Sequence, residues 1–228
     1  MIQSVSDDSL LITLGDQIAP SLTPRIARLC TAIERACEPW LVDIVPSYTT
    51  ILVVYDPLRI DFRGAEARIG QLARELNHAR SSEHRDTAAS RTHDIPVYYS
   101  DETGPDLERI AGASGVAKKE VIRRHTEITY QVYALGFMPG FGFLGSVDES
   151  IATPRLETPR NRVPAGSVAI ANRQTAVYPE ASPGGWNLIG RSPTRMFDPV
   201  NLSLLSVGDQ VKFRSVSRAE YLDLGGQL

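Results

Sequence analysis

The chain has 228 residues, a net charge of −3 and a hydrophobic content of 42%. This balance is typical of a globular protein and provides no broad attraction for nucleic acid or anionic lipid. The opening stretch MIQSVSDDSLL lacks the regions of a signal peptide, and no window reaches the ~20 apolar residues of a membrane span. We therefore expect a cytoplasmic protein with no nucleic-acid partner and no membrane partner.

The first part of the chain predicts an α+β domain over residues 1–99. A strand over 10–15 precedes a helix that has Thr23 as its N-cap and Pro24 at its first position, and that ends near Pro39. The other elements predicted here are two strands, a helix, a polar flexible loop and a last strand, over 40–45, 49–55, 64–79, 80–94 and 95–99. The order β-α-β-β-α-β favours a ferredoxin-like layer of two helices on an antiparallel sheet.

Residues 100–228 predict a second, mainly β domain. Short helices over 105–112 and 115–125 precede an almost unbroken succession of short strands and Pro/Gly turns, which continues to about residue 216. A closed or nearly closed barrel is the economical arrangement of such strands. A last helix begins at Ser217, which is spaced from Glu220 as in a capping box.

The two cysteines, Cys30 and Cys37, fall within the first predicted helix. Seven helical residues separate them by roughly 10 Å along the axis, which is too far for a disulfide. We predict that both are small buried hydrophobes on one helix face. The four histidines are scattered, so we expect no metal site on this chain.

Glycines 140, 142 and 145 satisfy the G-x-G-x-x-G spacing of dinucleotide-binding loops. That motif indicates dinucleotide binding only where a helix opens at its third glycine, and the residues after Gly145 predict no helix. The chain also lacks a G-x-x-x-x-G-K-[ST] sequence, so nucleotide binding through a Walker P-loop is excluded.

The informative motifs are His125 with Tyr130 five residues later, GFMPGFGFLG at 136–145, PRLETPRNRVPAGSVAIANRQTAVYP at 154–179 and SPGGWNLIGRSP at 182–193. With YDP at 55–57, GPDLE at 104–108 and VGDQVKF at 207–213, they cover nearly the whole chain. The chain thereby resembles the family that contains the B-type subunit of 5-oxoprolinase, allophanate hydrolase subunit 1 and the sporulation kinase inhibitor KipI.

The resemblance implies an N-terminal α+β domain followed by a cyclophilin-like β-barrel. It also implies two partner subunits, a C-type subunit similar to allophanate hydrolase subunit 2 (KipA-like) and an A-type subunit of the LamB/YcsF type. The implied complex opens the lactam 5-oxo-L-proline to L-glutamate with ATP hydrolysis, with Mg as the counter-ion of ATP, through a phosphorylated lactam. No metal or organic cofactor is implied for this chain itself.

A phosphorylated lactam needs cations and hydrogen-bond donors around its phosphoryl group and its oxyanion. Arg155, Arg160 and Arg162 lie in a segment with proline at 154, 159 and 164, which favours an extended backbone from which guanidinium groups reach carboxylate or phosphate. A solvated arginine-rich loop along the barrel is the alternative.

Glycine-rich turns beside aromatic rings offer backbone N–H groups and a wall against water, or else form tight barrel corners. We predict a substrate or ATP pocket lined by Tyr130, Phe137, Pro139, Gly140, Phe141, Arg160, Arg162, Gly166, Ser167, Pro183, Gly184, Gly185 and Trp186.

The predicted catalytic residues are His125, Arg155 and Gln174. The position of His125 in the family motif implies a general acid for the leaving lactam nitrogen, whereas its place at a helix C-terminus fits an imidazolium stabilised by the helix dipole. Gln174 offers a donor and an acceptor to an amide substrate, or faces solvent on a strand.

The chain departs from the family at three positions. Phe143 replaces a frequent tyrosine, and Asn172 and Ala176 replace glycines, so a positive φ is doubtful at Ala176 but tolerated by asparagine. Two alternative functions stay open: a KipI-like inhibitor of a sensor histidine kinase, and a subunit of the allophanate hydrolase or urea carboxylase type acting on urea-derived amides.

Overall fold

The computed structural model describes residues 1–19, 21–79, 90–200 and 202–228, with side-chain burial described for the helix over 62–79 only up to residue 77. The chain divides into two compact units, Met1–Ser90 and Arg91–Leu228. Of the polar loop predicted over 80–94, residues 80–89 lie outside the described part, and the last three residues belong to a strand.

The first unit contains four strands and two helices. They are β1 (Ile2–Ser6), β2 (Ser9–Thr13), α1 (Thr23–Arg35), β3 (Leu41–Pro46), β4 (Thr50–Tyr55) and α2 (Phe62–Ala79). The sheet has the order β1-β2-β4-β3 with every pair antiparallel. Every second residue of β4 is buried and packs with the apolar stripes of both helices, so the helices cover one face of the sheet.

The predicted ferredoxin-like arrangement is not confirmed. In a split β-α-β layer the last strand lies beside the first predicted strand, but here β1 occupies that place next to β2. The two strands are joined by a two-residue turn, and such local pairing closes a far smaller loop than a return from residue 92 would. The strand predicted to complete this sheet, β5 (Thr92–Val97), belongs to the second unit.

Helix α1 differs from its prediction at both ends. Leu22 is the N-cap and Thr23 is the first helical residue, and the helix ends at Arg35 rather than near Pro39. Cys30 is buried on the helix face as predicted, but Cys37 is exposed at a positive φ of 47° beyond the helix. Both thiols are free, which confirms that no disulfide joins them.

The second unit is built on a seven-stranded sheet with the order β12-β9-β10-β7-β6-β15-β5. Its elements after β5 are α3 (Leu107–Ser114), α4 (Lys118–Glu127), β6 (Thr129–Leu135), β7 (Gly142–Gly145), β8 (Arg160–Val163), β9 (Ser167–Ala171), β10 (Gln174–Val177), β11 (Ser182–Gly184), β12 (Asn187–Arg191), β13 (Phe197–Asp198), β14 (Leu202–Ser203), β15 (Gln210–Ser215) and α5 (Arg218–Asp223). A 3-10 turn covers Glu149–Ile151, and β8 pairs with β11 outside the main sheet.

A β-bridge joins the two edges of this sheet. The Tyr98 N–H donates to the Arg191 carbonyl at 2.9 Å, and the Arg191 N–H donates to the Tyr98 carbonyl at 3.0 Å. Because Tyr98 follows β5 and Arg191 ends β12, the bridge nearly closes the sheet into a barrel. The predicted nearly closed barrel is therefore confirmed.

The two faces of the barrel strands carry two separate cores. Val168 and Ile170 of β9 join the core inside the barrel, whereas Ala169 and Ala171 join a second cluster on the outer face. This follows from the alternation of side chains along a strand. Helices α3 and α4 contribute to the inner core, which leaves the outer face for other segments to cover.

Candidate functional site

An aromatic cluster lies on the outer face of the barrel. The Phe141 ring lies 4.9 Å from Phe143, 5.4 Å from Tyr178 and 5.7 Å from Trp186, measured between ring centroids, and each pair meets edge to face. Three alanines of β9 and β10, including Ala176, belong to the same cluster, and their small side chains leave room for the rings. Ala176 lies in β10 without a positive φ, whereas Asn172 adopts φ 52° in the preceding turn.

The loop over 136–141 presents Phe137 at the edge of this cluster. Phe137 has φ 70° and is 63% exposed, and its ring lies 5.2 Å from that of Phe141. A turn closes the loop, since the Phe141 N–H donates to the Met138 carbonyl at 3.1 Å. Gly140 is required here, because it has φ 81° and a Cβ would lie 2.7 Å from the Met196 carbonyl oxygen. Pro139 is exposed.

Arg155 lies over the indole of Trp186, with its guanidinium carbon 5.7 Å from the ring centroid. This distance is within the range of a cation–π interaction. Arg155 is exposed, whereas Trp186 is buried with only 5% of its surface accessible. The Gly185 carbonyl accepts the Leu156 N–H at 2.7 Å, which attaches the arginine segment to the turn before Trp186.

Arg160 is held by an ion pair at the same site. Its Nη2 lies 2.8 Å from Asp106 Oδ1, and the other carboxylate oxygen of Asp106 accepts the Leu188 N–H at 2.7 Å. Asp106 is only 6% exposed, so the pair connects the start of α3 to the outer face of the barrel. Asp106 was not predicted as a site residue, although the GPDLE motif contains it.

Tyr178 is the other site residue that the sequence prediction missed. Its ring is buried in the aromatic cluster, and burial raises the pKa of its hydroxyl, while a backbone hydrogen bond to Trp186 and the charges of Arg155 and Arg160 lower it. Gly184 faces this hydroxyl, since a Cβ on Gly184 would lie 2.4 Å from the Tyr178 oxygen. The sequence feature that could have indicated Tyr178 is its position directly before Pro179 and the turn that contains Pro183.

Gln174 begins β10 and is partly exposed. By alternation its side chain lies on the same outer face as Ala176 and Tyr178. Arg162 is exposed on β8, and Pro183 is exposed on β11. The contacts described above bring together six of the predicted site residues, which are Phe137, Phe141, Arg155, Arg160, Gly184 and Trp186.

Gly166 and Ser167 are both buried, Gly166 in the turn before β9 and Ser167 as the first residue of that strand. Gly166 has φ 76°, and a Cβ there would lie 2.3 Å from the Ser192 carbonyl oxygen, so the position excludes other residues. Ser167 is fully buried. These two residues fix a corner of the barrel.

His125 lies inside the barrel, away from the outer surface. It is fully buried, its Nδ1 is 2.8 Å from the Tyr99 hydroxyl and its Nε2 is 2.9 Å from the Thr175 hydroxyl. Thr175 donates its own hydrogen to the Ala169 carbonyl, so it accepts from Nε2–H, and Tyr99 donates to Nδ1. Burial lowers the pKa of His125 to about 3, so the ring is neutral. Tyr130, also fully buried, donates to the His125 carbonyl at 2.8 Å.

No helix in the described part of the chain has both the length and the apolar character needed to cross a membrane. Within residues 1–19, 21–79, 90–200 and 202–228, no three His, Cys, Asp or Glu side chains lie together as metal ligands. Cavities of about 90 and 470 Å³ lie away from the aromatic cluster, the first against α1 and α2 and the second beside the turn between α3 and α4.

Three comparisons identify known proteins that are similar to this chain. A family model described as carboxyltransferase domain, subdomain C and D, matches residues 1–204. The B-type subunit of 5-oxoprolinase from Bacillus subtilis (strain 168) is 36% identical over 236 residues, which cover 96% of this chain and 94% of the relative. The crystal structure of TTHA0988 is 35% identical with a TM-score of 0.79, and the match covers 95% of this chain but 40% of that longer chain.

The urea carboxylase of Kluyveromyces lactis has a TM-score of 0.77 to this chain at 18% identity, covering 97% of this chain and 22% of that one. A likeness at this identity shows the fold alone.

The matched family model and the nearly closed barrel define a carboxyltransferase-type protein of subdomains C and D. Within that class the chain belongs to the family of B-type subunits of 5-oxoprolinase.

Proposed function

We propose that this chain is the B-type subunit of a cytoplasmic complex that opens 5-oxo-L-proline to L-glutamate with hydrolysis of ATP. The observation that carries the proposal is the exposed guanidinium of Arg155 above Trp186, at the rim of the aromatic cluster and near Arg160. Relatives at 36 to 41% identity that are named as the B-type subunit of 5-oxoprolinase support the choice of reaction. The partners are proposed to be a C-type and an A-type subunit, and the barrel to be of the cyclophilin-like type.

The surface suits a small anionic lactam. The planar guanidinium of Arg155 can pair with the substrate carboxylate or with a phosphoryl oxygen, and the aromatic rings beside it exclude water from that ion pair. Gln174 is on the same face and can donate to or accept from the lactam amide. The chemistry balances with two waters: transfer of the γ-phosphoryl group from ATP to the lactam oxygen releases ADP, one water adds to the activated carbon as the C–N bond breaks, and a second water releases phosphate to leave L-glutamate.

Among the described residues of this surface, the arginines are the groups that suit the phosphates of ATP, whereas Mg²⁺ requires oxygen ligands that guanidinium groups do not supply. Phosphorylation of the lactam oxygen would turn a poor electrophile into one that water attacks, and cations beside the oxygen stabilise the charge that develops. Arg155 and Arg162 are exposed and able to approach a phosphoryl group, whereas Arg160 is already paired with Asp106. We propose that the remaining nucleotide contacts come from a partner subunit.

We further propose that His125 and Tyr130 act in the barrel core and not as acid or base. Both ring nitrogens of His125 are occupied and the side chain is fully buried, so the lactam nitrogen has no route to it without opening the barrel. The catalytic contribution of this chain then rests on Arg155 and Gln174.

The decisive experiment is glutamate formation from 5-oxoproline and ATP by this chain co-purified with its C-type and A-type subunits. Arg155→Ala should lower kcat/KM by about 100-fold, the scale for removing one donor to a developing anion. Arg109→Ala removes an exposed arginine of α3 and should leave kcat/KM unchanged. A stable complex that forms no glutamate would contradict the proposed reaction. Equal kcat/KM for the two variants would exclude a role of Arg155 in that reaction.

A further inference from the structure

Three consecutive residues before and at the start of β12 contact the three-residue segment that has Arg155 at its centre. The contacts pair Gly185 with Leu156, Trp186 with Arg155 and Asn187 with Pro154. The Gly185 carbonyl accepts the Leu156 N–H at 2.7 Å, and the Trp186 ring lies beneath the Arg155 guanidinium. The Asn187 side-chain amide donates to the Pro154 carbonyl at 2.9 Å. The backbone is thus attached on both sides of the arginine, and the side chain rests on the residue between the two attachments.

Asn187 is suited to this task by its burial and by its partners. It is fully buried, and its Nδ2 also donates to the Ile170 carbonyl of β9 at 3.0 Å. Two carbonyl acceptors fix the orientation of the amide, because only its nitrogen side can face both of them. The amide therefore connects the segment of Arg155 to the backbone of β9.

The other end of the same amide is unpaired. Asn187 Oδ1 is buried and has no hydrogen-bond partner among the described residues. An unpaired buried acceptor costs free energy, and an apolar residue of similar size would avoid that cost. An apolar residue, however, could not donate the hydrogen bond that Asn187 makes to the Pro154 carbonyl.

We propose that Asn187 is a positioning residue that holds Arg155 over Trp186 and so prepares the guanidinium for the substrate anion. This inference rests on the proposed function in assigning an anion to Arg155. Asn187 touches neither the anion nor the reacting atoms. Its effect passes through the Pro154 carbonyl, one residue before the arginine.

The fluorescence of Trp186 reports whether the Arg155 guanidinium lies over the indole, and this measurement needs no substrate. The chain has two tryptophans, so Trp40→Phe leaves Trp186 as the sole indole emitter. In that background Asn187→Ala should change the emission of Trp186 in the same direction as Arg155→Ala, since both remove the cation from the indole face. Asn77→Ala, an exposed asparagine of α2, is the matched control and should change nothing. Emission that is unchanged by Asn187→Ala but altered by Arg155→Ala would overturn the inference.

The kinetic test uses the assembled complex and a double-mutant cycle. Asn187→Ala should raise KM for 5-oxoproline by about 10-fold with a smaller change in kcat, on the scale of other residues that orient a binding group. In the Arg155→Ala background the same substitution should add almost nothing, because its route of action is gone. A full additional loss in that background would show a general structural role and overturn the proposal.

Two outcomes separate this inference from the proposed function. If Asn187→Ala alters Trp186 emission while Arg155→Ala leaves kcat/KM unchanged, positioning stands and the proposed role of Arg155 fails. If Arg155→Ala lowers kcat/KM while Asn187→Ala changes neither emission nor KM, the inference alone fails. Should Asn187→Ala not fold, Asn187→Ser retains one donor and should give an intermediate KM, and a KM equal to that of the unaltered chain would count against positioning.

Discussion

Strands β9 and β10 separate two polar sites that differ in how fully their hydrogen bonds are satisfied. Inside the barrel, His125 is neutral, stacked on Phe213 at 4.6 Å and bonded at both ring nitrogens. Outside, Arg155 keeps its charge exposed above Trp186. A motif residue whose hydrogen bonds are all internal is suited to stabilise the fold, whereas a charged group that is held in place but still open to solvent can bind a ligand.

The largest expected effect is on the inner site. His125→Ala should lower the free energy of unfolding of this chain by about 3–5 kcal/mol, because it opens a cavity and leaves the Tyr99 hydroxyl without its buried acceptor. Denaturant titration followed by circular dichroism measures this loss. Arg155→Ala is the counterpart on the outer face and should cost less than about 0.5 kcal/mol. Similar losses for the two variants would remove the distinction between the faces.

The next effect is the dependence of that stability on pH. His125 has a folded-state pKa of about 3 against an ordinary value of 6.5, so between these limits the unfolded chain binds one more proton than the folded chain. Stability therefore falls as pH falls, by ~2 kcal/mol between about pH 7 and about pH 5 from this residue alone. Denaturant midpoints across that range, converted to free energies, measure the total.

His125→Gln isolates this contribution, since glutamine does not titrate and keeps a polar side chain in the barrel. Its free energy of unfolding should depend less on pH than that of the unaltered chain, by the same ~2 kcal/mol over the same range. Arg155→Ala should retain the full dependence. An identical pH dependence in the His125→Gln variant would mean that the imidazole is not held neutral by burial.

The sequence could predict the barrel, because the barrel depends on local patterns. Short strands between Pro/Gly turns predict the barrel, and Ser217 is confirmed as the N-cap of α5, where its hydroxyl accepts the Glu220 N–H at 3.2 Å. The prediction that no helix opens at the third glycine of the G-x-G-x-x-G spacing is confirmed, since Gly145 ends a strand and the residues directly after it are not helical.

What the sequence could not predict depends on pairing between distant segments. Strand β5 reads equally well as the edge of either sheet, and only its parallel register with β15 places it in the barrel. His125 shows the same limit, because the side of the barrel wall on which its ring lies is decided by the packing of α4 against β15. Asp106 pairs with Arg160, which lies 54 residues later in the sequence, and no local spacing predicts this contact.

The smallest expected effect sharpens the outer site. Trp186→Phe keeps an aromatic ring against Phe141 but presents a weaker π-face to Arg155, so KM for 5-oxoproline in the assembled complex should rise by roughly 2–5-fold, the equivalent of a cation–π contact at an exposed site. Unfolding measurements are needed beside the kinetics, because the smaller ring also loses buried area. Phe143→Leu removes a ring from the same cluster without touching the cation, and it is the control for that loss. A rise in KM as large for Phe143→Leu as for Trp186→Phe would show that the cluster contributes only packing. The outer face would then stabilise the fold as the inner face does, and the two would differ only in exposure.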